Sequence, residues 1–462
     1  MATPQSPAQA PSAPRGGRTF THVMRRFVRL GALDDVRRLL DRMHPADMVQ
    51  ILRTLAPAER KAFTDVLLAH ERAGEVLADL PEPQVEEILV HVSNERIASL
   101  VSRLAPDKAA DLLRLLFEDR VVAVLKLLDE KTAAILDRLM TYGPETAGGM
   151  MTTRFLALDR HTRVGEAVSR IRSEPEAEMV FYLYVVDETQ RLEGVVSLRQ
   201  LVLAGQDQEL REIMNPKAIR VRVDTPRAEV ADVISRYNLL AVPVVDASNV
   251  LCGIVTVDDA IDAITDETTR EVYRMAGLNT EDRIATPPYE SVRRRLPWMI
   301  LNLATAILAS WVISFFEASI AQVVALATLM PIVASMGGIG ATQASTVIVR
   351  GIALGEIDFS SARRALLKEI LVGMAIGVAT GLVMALTAFV WKGNPWLGLI
   401  ICLAMILNLL VAGASGAAIP LLLKWLKLDP ALGSSVIVTT FTDCFGFMSF
   451  LGLGTLLLSH LK

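Results

Sequence analysis

Asp443 is the one charge within SSVIVTTFTDCFGF, residues 434–447. Ser435, Thr439, Asp443 and Gly446 follow one another at spacings of four, four and three, so a helix places them on one face. A lone carboxylate at the centre of an apolar helix costs roughly 2.5–3.5 kcal/mol on insertion scales. It therefore needs water, a partner or a cation. A narrow polar face centred on a carboxylate suits the wall of a water-filled cation path. The alternative is a structural Asp paired with another helix, but no basic residue lies at matching depth in another apolar segment. A second set of oxygens stands in PIVASMGGIGATQAS, residues 331–345, where Thr342, Gln343 and Ser345, with Thr346 just beyond, follow Pro331, Gly337, Gly338 and Gly340. These glycines and the proline predict an interrupted helix with freed carbonyls, which persists at membrane depth only against protein or water. Close helix packing through small residues is the other reading. Asn302 and Asn408 read as interhelical hydrogen bonders.

A third cluster is acidic. VDDAIDAITDETTREV, residues 257–272, holds Asp258, Asp259, Asp262, Asp266, Glu267 and Glu271 against one base, Arg270. Asp259, Asp262 and Asp266 share a helix face, where like charges repel. A hard dication would relieve that repulsion; a solvated helix face is the plainer reading.

The elements that must position these groups divide the chain in two. Of 462 residues, 52% are hydrophobic and 21% charged, at a mean hydropathy of +0.39 and a net charge of −4. From Leu296 onward only 14 of 167 residues are charged, against 84 of 295 before it. Uncharged runs at 297–316, 318–349, 370–391 and 393–423, with a last segment at about 430–459, predict five spanning helices of about 20 apolar residues each. Arg293, Arg294 and Arg295, then Arg350, Arg363, Arg364 and Lys368, then Lys424 and Lys427 fall on one side of these spans. Basic loops favour the cytoplasm. The long N-terminal part is therefore expected inside, in the cytoplasm, and the C-terminus outside the cell membrane. Cys252, Cys402 and Cys444 match no disulfide framework or zinc spacing. No basic stripe points to nucleic acid, and neither a nucleophile–base pair nor a phosphate cradle points to an enzyme.

Residues 1–22, rich in Pro, Ala and Ser, are expected as a disordered tail. Residues 23–142 read as an all-α helical-repeat domain, punctuated by RTLAPAER (53–60), ADLPEPQV (78–85) and SRLAPDKA (102–109). A second duplication pairs VVDETQRLEGVVSLRQLV (185–202) with VVDASNVLCGIVTVDDAI (244–261), each unit reading strand, helix, strand, turn, strand, helix. This α/β duplication resembles a tandem CBS pair, over 147–211 and 212–267. CBS units often sense nucleotides or ions. In that family a Thr or Ser followed three residues later by Asp holds a ribose. The resemblance makes Thr256 and Asp259 nucleotide candidates, and Ser197 a weaker one because Gln200 takes the place of its Asp.

The whole order, helical repeats, CBS pair, acidic connecting helix at 268–295, then a five-span membrane domain at 296–462, closely resembles the MgtE family of magnesium transporters and channels. LDRMHPADM (40–48), YGPETAGGMMTTRF (142–155), RRRLPWMILNLATA (293–306), VVALATLMPIVASMGG (323–338), VRGIALGEI (349–357) and LDPALGSSVIVTTFTD (428–443) carry the resemblance. It implies a homodimer in a lipid bilayer, with Mg2+ as both substrate and regulator and a pore built at the two-fold axis from the second and fifth spans. Asp443 becomes the central ion ligand and Asp429 a ligand at the cytoplasmic mouth, with Thr439, Ser435, Gly338, Thr342 and Gln343 lining the path. Asp259, Asp262, Glu267 and Glu271, with Asp107 and Asp111 from the N-terminal domain, become the regulatory metal ligands. ATP at the CBS pair is a further implied ligand.

Three departures stand out. Ile339 replaces a polar Asn of the family's pore motif, and Asn238 and Arg270 replace acidic residues. Ile339 motivates two rival readings, a non-conducting membrane-anchored sensor of magnesium or nucleotide and a transporter preferring another dication such as cobalt, while Asn238 and Arg270 suggest a weaker or altered magnesium lock.

Overall fold

The computed structural model describes residues 17–173, 181–278, 282, 286–357, 361–431 and 434–461. The expected tail lies outside the described residues as far as residue 16, and a helix, Gly17–Arg29, starts just after it. The chain divides into two compact units, residues 1–264 and 265–462.

The first unit opens with short helices running from Gly17–Arg29 to Glu130–Met140. The repeated phrases start helices for a local reason. Proline has no N–H to lose in a first turn, and its fixed φ already suits a helix. Pro57 and Pro106 accordingly begin the helices Pro57–Leu68 and Pro106–Arg114, and Pro81 caps Glu82–Leu89. Where proline is absent a side chain takes over: the Asp129 carboxylate accepts a hydrogen bond from the Thr132 amide at 2.9 Å. The buried faces of these helices, including Leu52, Phe63, Leu77, Ile97 and Leu113, share one core with Val230, Val242 and Val255 of the second CBS unit.

YGPETAGGMMTTRF forms the joint between them. The Ala147 and Gly148 amides donate to the carbonyls of Thr225 and Val223 at 2.8 and 2.9 Å, and the Thr152 amide donates to that of Ile254 at 2.9 Å. A side chain at Gly148 would meet the Tyr142 ring at 2.7 Å, which is why the phrase needs glycine.

Each CBS unit builds a three-stranded sheet. β1 (Ala157–Asp159) lies parallel to β2 (Tyr182–Val186), which pairs antiparallel with β3 (Leu192–Ser197). β4 (Val221–Arg222), β5 (Ala241–Val245) and β6 (Leu251–Thr256) repeat that order. β5 and β6 are buried at every position, as strands covered on both faces are. The turn after helix Arg227–Tyr237 uses Asn238 in the left-handed conformation, φ 52°.

Five helices in the second part are long and apolar enough to cross a membrane: Pro288–Ser314, Ala325–Ala353, Ala362–Lys392, Pro395–Trp425 and the last, Ser434–Leu456. A short helix, Glu317–Gln322, precedes the second span, so the long uncharged run 318–349 contains a turn before its span. The third and fourth spans meet along Gly373, Gly377 and Gly381, where any side chain would strike the backbone of Leu409, Ile406 or Cys402.

Two expectations change. The second span is one continuous helix through Pro331 and all three glycines, so the interrupted backbone is not found. Its glycines serve helix packing instead: side chains at Gly337 and Gly340 would collide with Asn408 and Leu409 of the fourth span. The connecting segment also differs from a single helix over 268–295. A helix, Val257–Met275, continues directly from β6, and Gly277 (φ 68°) then turns the chain before the first span starts at Pro288.

Candidate functional site

In the second unit the second and fifth spans border an open groove of about 550 Å³, lined by Ala334, Ser335, Gly338, Ile339, Thr342, Gln343, Thr439 and Asp443. Helical spacing explains the set. Ser335, Gly338 and Thr342 recur at three and four on the second span, and Thr439 and Asp443 at four on the last. Gly338 is the glycine of its motif that looks into the groove: the nearest atom to a side chain there is the Thr439 methyl, 3.8 Å away. Thr342 turns its hydroxyl back to the Gly338 carbonyl at 2.9 Å. Ile339 is half exposed in the same groove, an apolar residue beside the carboxylate. Asp443, Thr439, Gly338, Thr342 and Gln343 are thus brought together as the sequence suggested. The side chain of Ser435 lies outside the described residues. Gly446 leaves this face and packs on Asn408. Asn408 bonds between helices, donating from Nδ2 to the Val333 carbonyl at 2.8 Å. Among the described residues Asn302 instead donates to the Trp298 carbonyl, one turn back on its own helix.

Asp429 sits in the loop before the last span. Its Oδ1 accepts from the Ala431 amide at 2.9 Å, and its Oδ2 lies 3.0 Å from Arg274 Nη1. Arg274 also reaches Glu267 at 3.3 Å, Arg270 stands 3.8 Å from Glu267, and Arg350 stands 3.8 Å from Glu271. Burial pushes the Glu271 carboxyl above its usual range while Arg350 acts the other way. The C-terminal half of the acidic helix therefore carries two bases of its own, Arg270 and Arg274, and meets a third, Arg350, from the second span. Composition showed Arg270 and the loop charges included Arg350, but Arg274 and the pairing of Arg350 with Glu271 were not read from the sequence, because nothing local marks these distant partners.

In the first unit, Asp107 is buried at the head of helix Pro106–Arg114, and its charge acts on Asp259. Burial, and then Asp107, push the Asp259 carboxyl up to about 7, against the hydroxyl that Thr256 donates to its Oδ2 at 2.8 Å. Burial also raises Asp111, although Arg114 lies 2.7 Å away. Asp262 is exposed. Ser197 closes a capping box with Gln200, donating from its hydroxyl at 2.7 Å, so helix capping occupies it in the first CBS unit. Among the described residues, His, Cys, Asp and Glu nowhere gather in threes around one point.

Five spanning helices, a groove with a lone carboxylate, and an N-terminal part combining helical repeats with a CBS pair define a membrane transporter of cations. Comparison with known proteins agrees. Residues 330–453 match a family described as divalent cation transporter, MgtE, residues 43–145 match the MgtE intracellular N domain, and 147–207 and 210–266 each match the CBS domain. The chain is 36% identical over 318 residues to the magnesium transporter MgtE of Bacillus subtilis, covering 69% of this chain and 70% of that protein. It is 34% identical over 333 residues to the magnesium transporter MgtE of Thermus thermophilus, covering 71% and 74%. The chain belongs to the MgtE family. Among solved structures, the soluble part of a magnesium transporter is similar at 30% identity and a TM-score of 0.49, over 54% of this chain and 99% of that one. The cytosolic domain of the Mg2+ channel MgtE in complex with ATP is similar at 35% identity and a TM-score of 0.49, over 52% and 99%.

Proposed function

We propose that the chain carries magnesium across a cell membrane, down its electrochemical gradient, and that it works as a homodimer. One observation carries the reading: the second and fifth spans bring Asp443, Thr439, Gly338, Thr342 and Gln343 into one groove. The groove is open along one side, and a second copy related by a two-fold axis would close it. Two Asp443 carboxylates would then face one axis. A dication neutralises both, whereas a monovalent ion leaves net charge against a low-dielectric wall. Magnesium sheds water reluctantly and is held by one or two carboxylates together with its waters. A hydrated path suits it. The membrane potential supplies about 2.3 kcal/mol per charge per 100 mV, so entry needs no chemical fuel, and no enzymatic activity is part of this reading.

The acid-rich helix Val257–Met275 is the proposed sensor, the repeat domain and CBS pair lie inside, and the C-terminus lies outside. The domain limits proposed from the sequence, 23–142, 147–211, 212–267 and 296–462, go with this reading. Asp107 and Asp259 would hold regulatory magnesium, because ions that quench repulsion between buried carboxylates favour the arrangement that brings them together. ATP would be held in the second CBS unit, where Thr256 and Asp259 are present, while Ser197 is engaged in capping.

Liposomes containing the purified protein test the reading. Magnesium uptake is expected from the wild type and is lost in Asp443→Ala with the dimer intact. Absence of uptake at every internal magnesium concentration would establish the sensor reading instead. Ile339 in the groove motivates both rivals, and cobalt outcompeting magnesium in the same liposomes would select a preference for cobalt.

A further inference from the structure

Behind the wall of the groove, Asn408 of the fourth span is 1% exposed. Its Nδ2 donates to the Val333 carbonyl of the second span at 2.8 Å, and its Oδ1 is buried and accepts no hydrogen bond among the described residues. An acceptor left unpaired in this way carries the full desolvation penalty of the group. Leucine has the same branching and would avoid that cost, so packing alone does not account for an amide here.

Two glycines make room for it. A side chain at Gly337 of the second span would land on the Asn408 amide, and one at Gly446 of the last span would come within 2.8 Å of Nδ2. The Asn408 amide therefore sits where the β-carbons of two pore helices would be, and a third helix holds it there. Gly337 is next to Gly338 in the groove wall, and Gly446 is one turn beyond Asp443. Any change in the thickness of this wedge moves the Asp443 carboxylate relative to Gly338, Ile339 and Thr342. Such displacement of about 1 Å is enough to spoil a positioned site.

We infer that Asn408 is a positioning residue for ion selectivity: wedged between Gly337 and Gly446, it sets the separation of the second and fifth spans and with it the distance from Asp443 to the opposite wall of the path. The transport part of this inference rests on the proposed function; the spacing part does not. Asn408 does not itself line the groove, and acts through the two helices it separates. In Asn408→Ala the wedge is thinner and the spans approach. In Asn408→Leu two methyl groups replace smaller polar atoms against glycine backbones, and the spans part.

Two readouts test it. The first needs no transport. Gly338→Cys and Thr439→Cys are introduced together in the full-length dimer with Cys252, Cys402 and Cys444 replaced by serine or alanine, and the rate of disulfide formation is followed. That rate is expected to change about fivefold or more when Asn408→Ala or Asn408→Leu is added, in opposite directions for the two. The second is the ratio of magnesium to cobalt uptake in liposomes, expected to shift while the amount of folded dimer stays the same. If the Asn408 variants do not fold, Gly446→Ala presses on the same amide from the other side and must move both readouts. Cross-linking rates and uptake ratios unchanged in folded variants would overturn the inference. Absence of uptake from the wild type would defeat the proposed function, and the cross-linking rates would then decide the spacing by themselves.

Discussion

Arg274 Nη1 lies 3.0 Å from Asp429 Oδ2, so a base on the acidic helix neutralises the carboxylate in the loop that leads into the last span. The same guanidinium holds Glu267 at 3.3 Å. These are two of the carboxylates that the family resemblance assigns to magnesium. With Arg270 and Arg350 beside Glu267 and Glu271, part of the work of a bound cation is done by arginine.

Arg274→Gln removes this link. Both partners are about one-third exposed, 32% and 28%. An ion pair of that exposure contributes up to about 1 kcal/mol, or about fivefold in a two-state ratio. Residual magnesium uptake at high internal magnesium is therefore expected to rise by up to about fivefold in liposomes. Unchanged closure would show that Arg274 does not hold the mouth shut.

Asp259 makes the first unit sensitive to pH. Its carboxyl is raised from 3.8 to about 7, so the folded arrangement binds a proton that the unfolded chain has lost. The associated stability is fully present below the unfolded value, falls as pH rises, and is gone above about 7. Without magnesium, the melting temperature of the soluble unit should fall between pH 5 and pH 8. Added magnesium should raise it more at pH 8 than at pH 5, because only the ionised pair attracts the ion. In Asp259→Asn the pH dependence across this interval should flatten; a slope as steep as the wild type's would place the titration elsewhere.

Asn238 ends helix Arg227–Tyr237 in the left-handed conformation, φ 52°, which gives a local reason for an asparagine there. Left-handed backbone costs an ordinary L-residue about 1–2 kcal/mol, and Asn is among the residues that visit it routinely. Asn238→Gly should leave stability equal or higher, whereas Asn238→Ala should lower it by about 1 kcal/mol in denaturant unfolding. Equal stability of the Ala variant would remove the conformational explanation.

Gly277 combines φ 68° with a β-position occupied by the Trp298 indole nitrogen. Gly277→Ala should break the turn that leads from the acidic helix to the first span. Trypsin would then cut after Arg270 and Arg274 faster than in the wild type, with or without magnesium. An unaltered cleavage pattern would mean that the connection tolerates a side chain there.

Much of the chain was legible before its structure. The CBS duplication was visible in the paired phrases at 185–202 and 244–261, two sheets repeat one order of strands accordingly, and the proline phrases marked real helix starts at Pro57 and Pro106. The second span was misjudged because glycine and proline lower helix propensity in water, whereas in an apolar surrounding an unbroken helix is the way to satisfy the backbone. Gly446 was misplaced for a different reason. A face defined by spacing is broad, and Gly446 lies at its edge, where the fourth span covers it.

The sequence by itself determined the number of spans, the duplicated CBS pair, the family and the carboxylate at the centre of the last span. These follow from hydropathy, period and repeated phrases, which are properties of neighbouring residues. Tertiary structure decided which of the three glycines faces the groove, that Asn408 stands between Gly337 of the second span and Gly446 of the last, and that Arg274 rather than a neighbouring base meets Asp429. The reason is geometric. Helical period places residues on a common face but does not fix the rotation of one helix against another, and only packing of the spans aligns those faces.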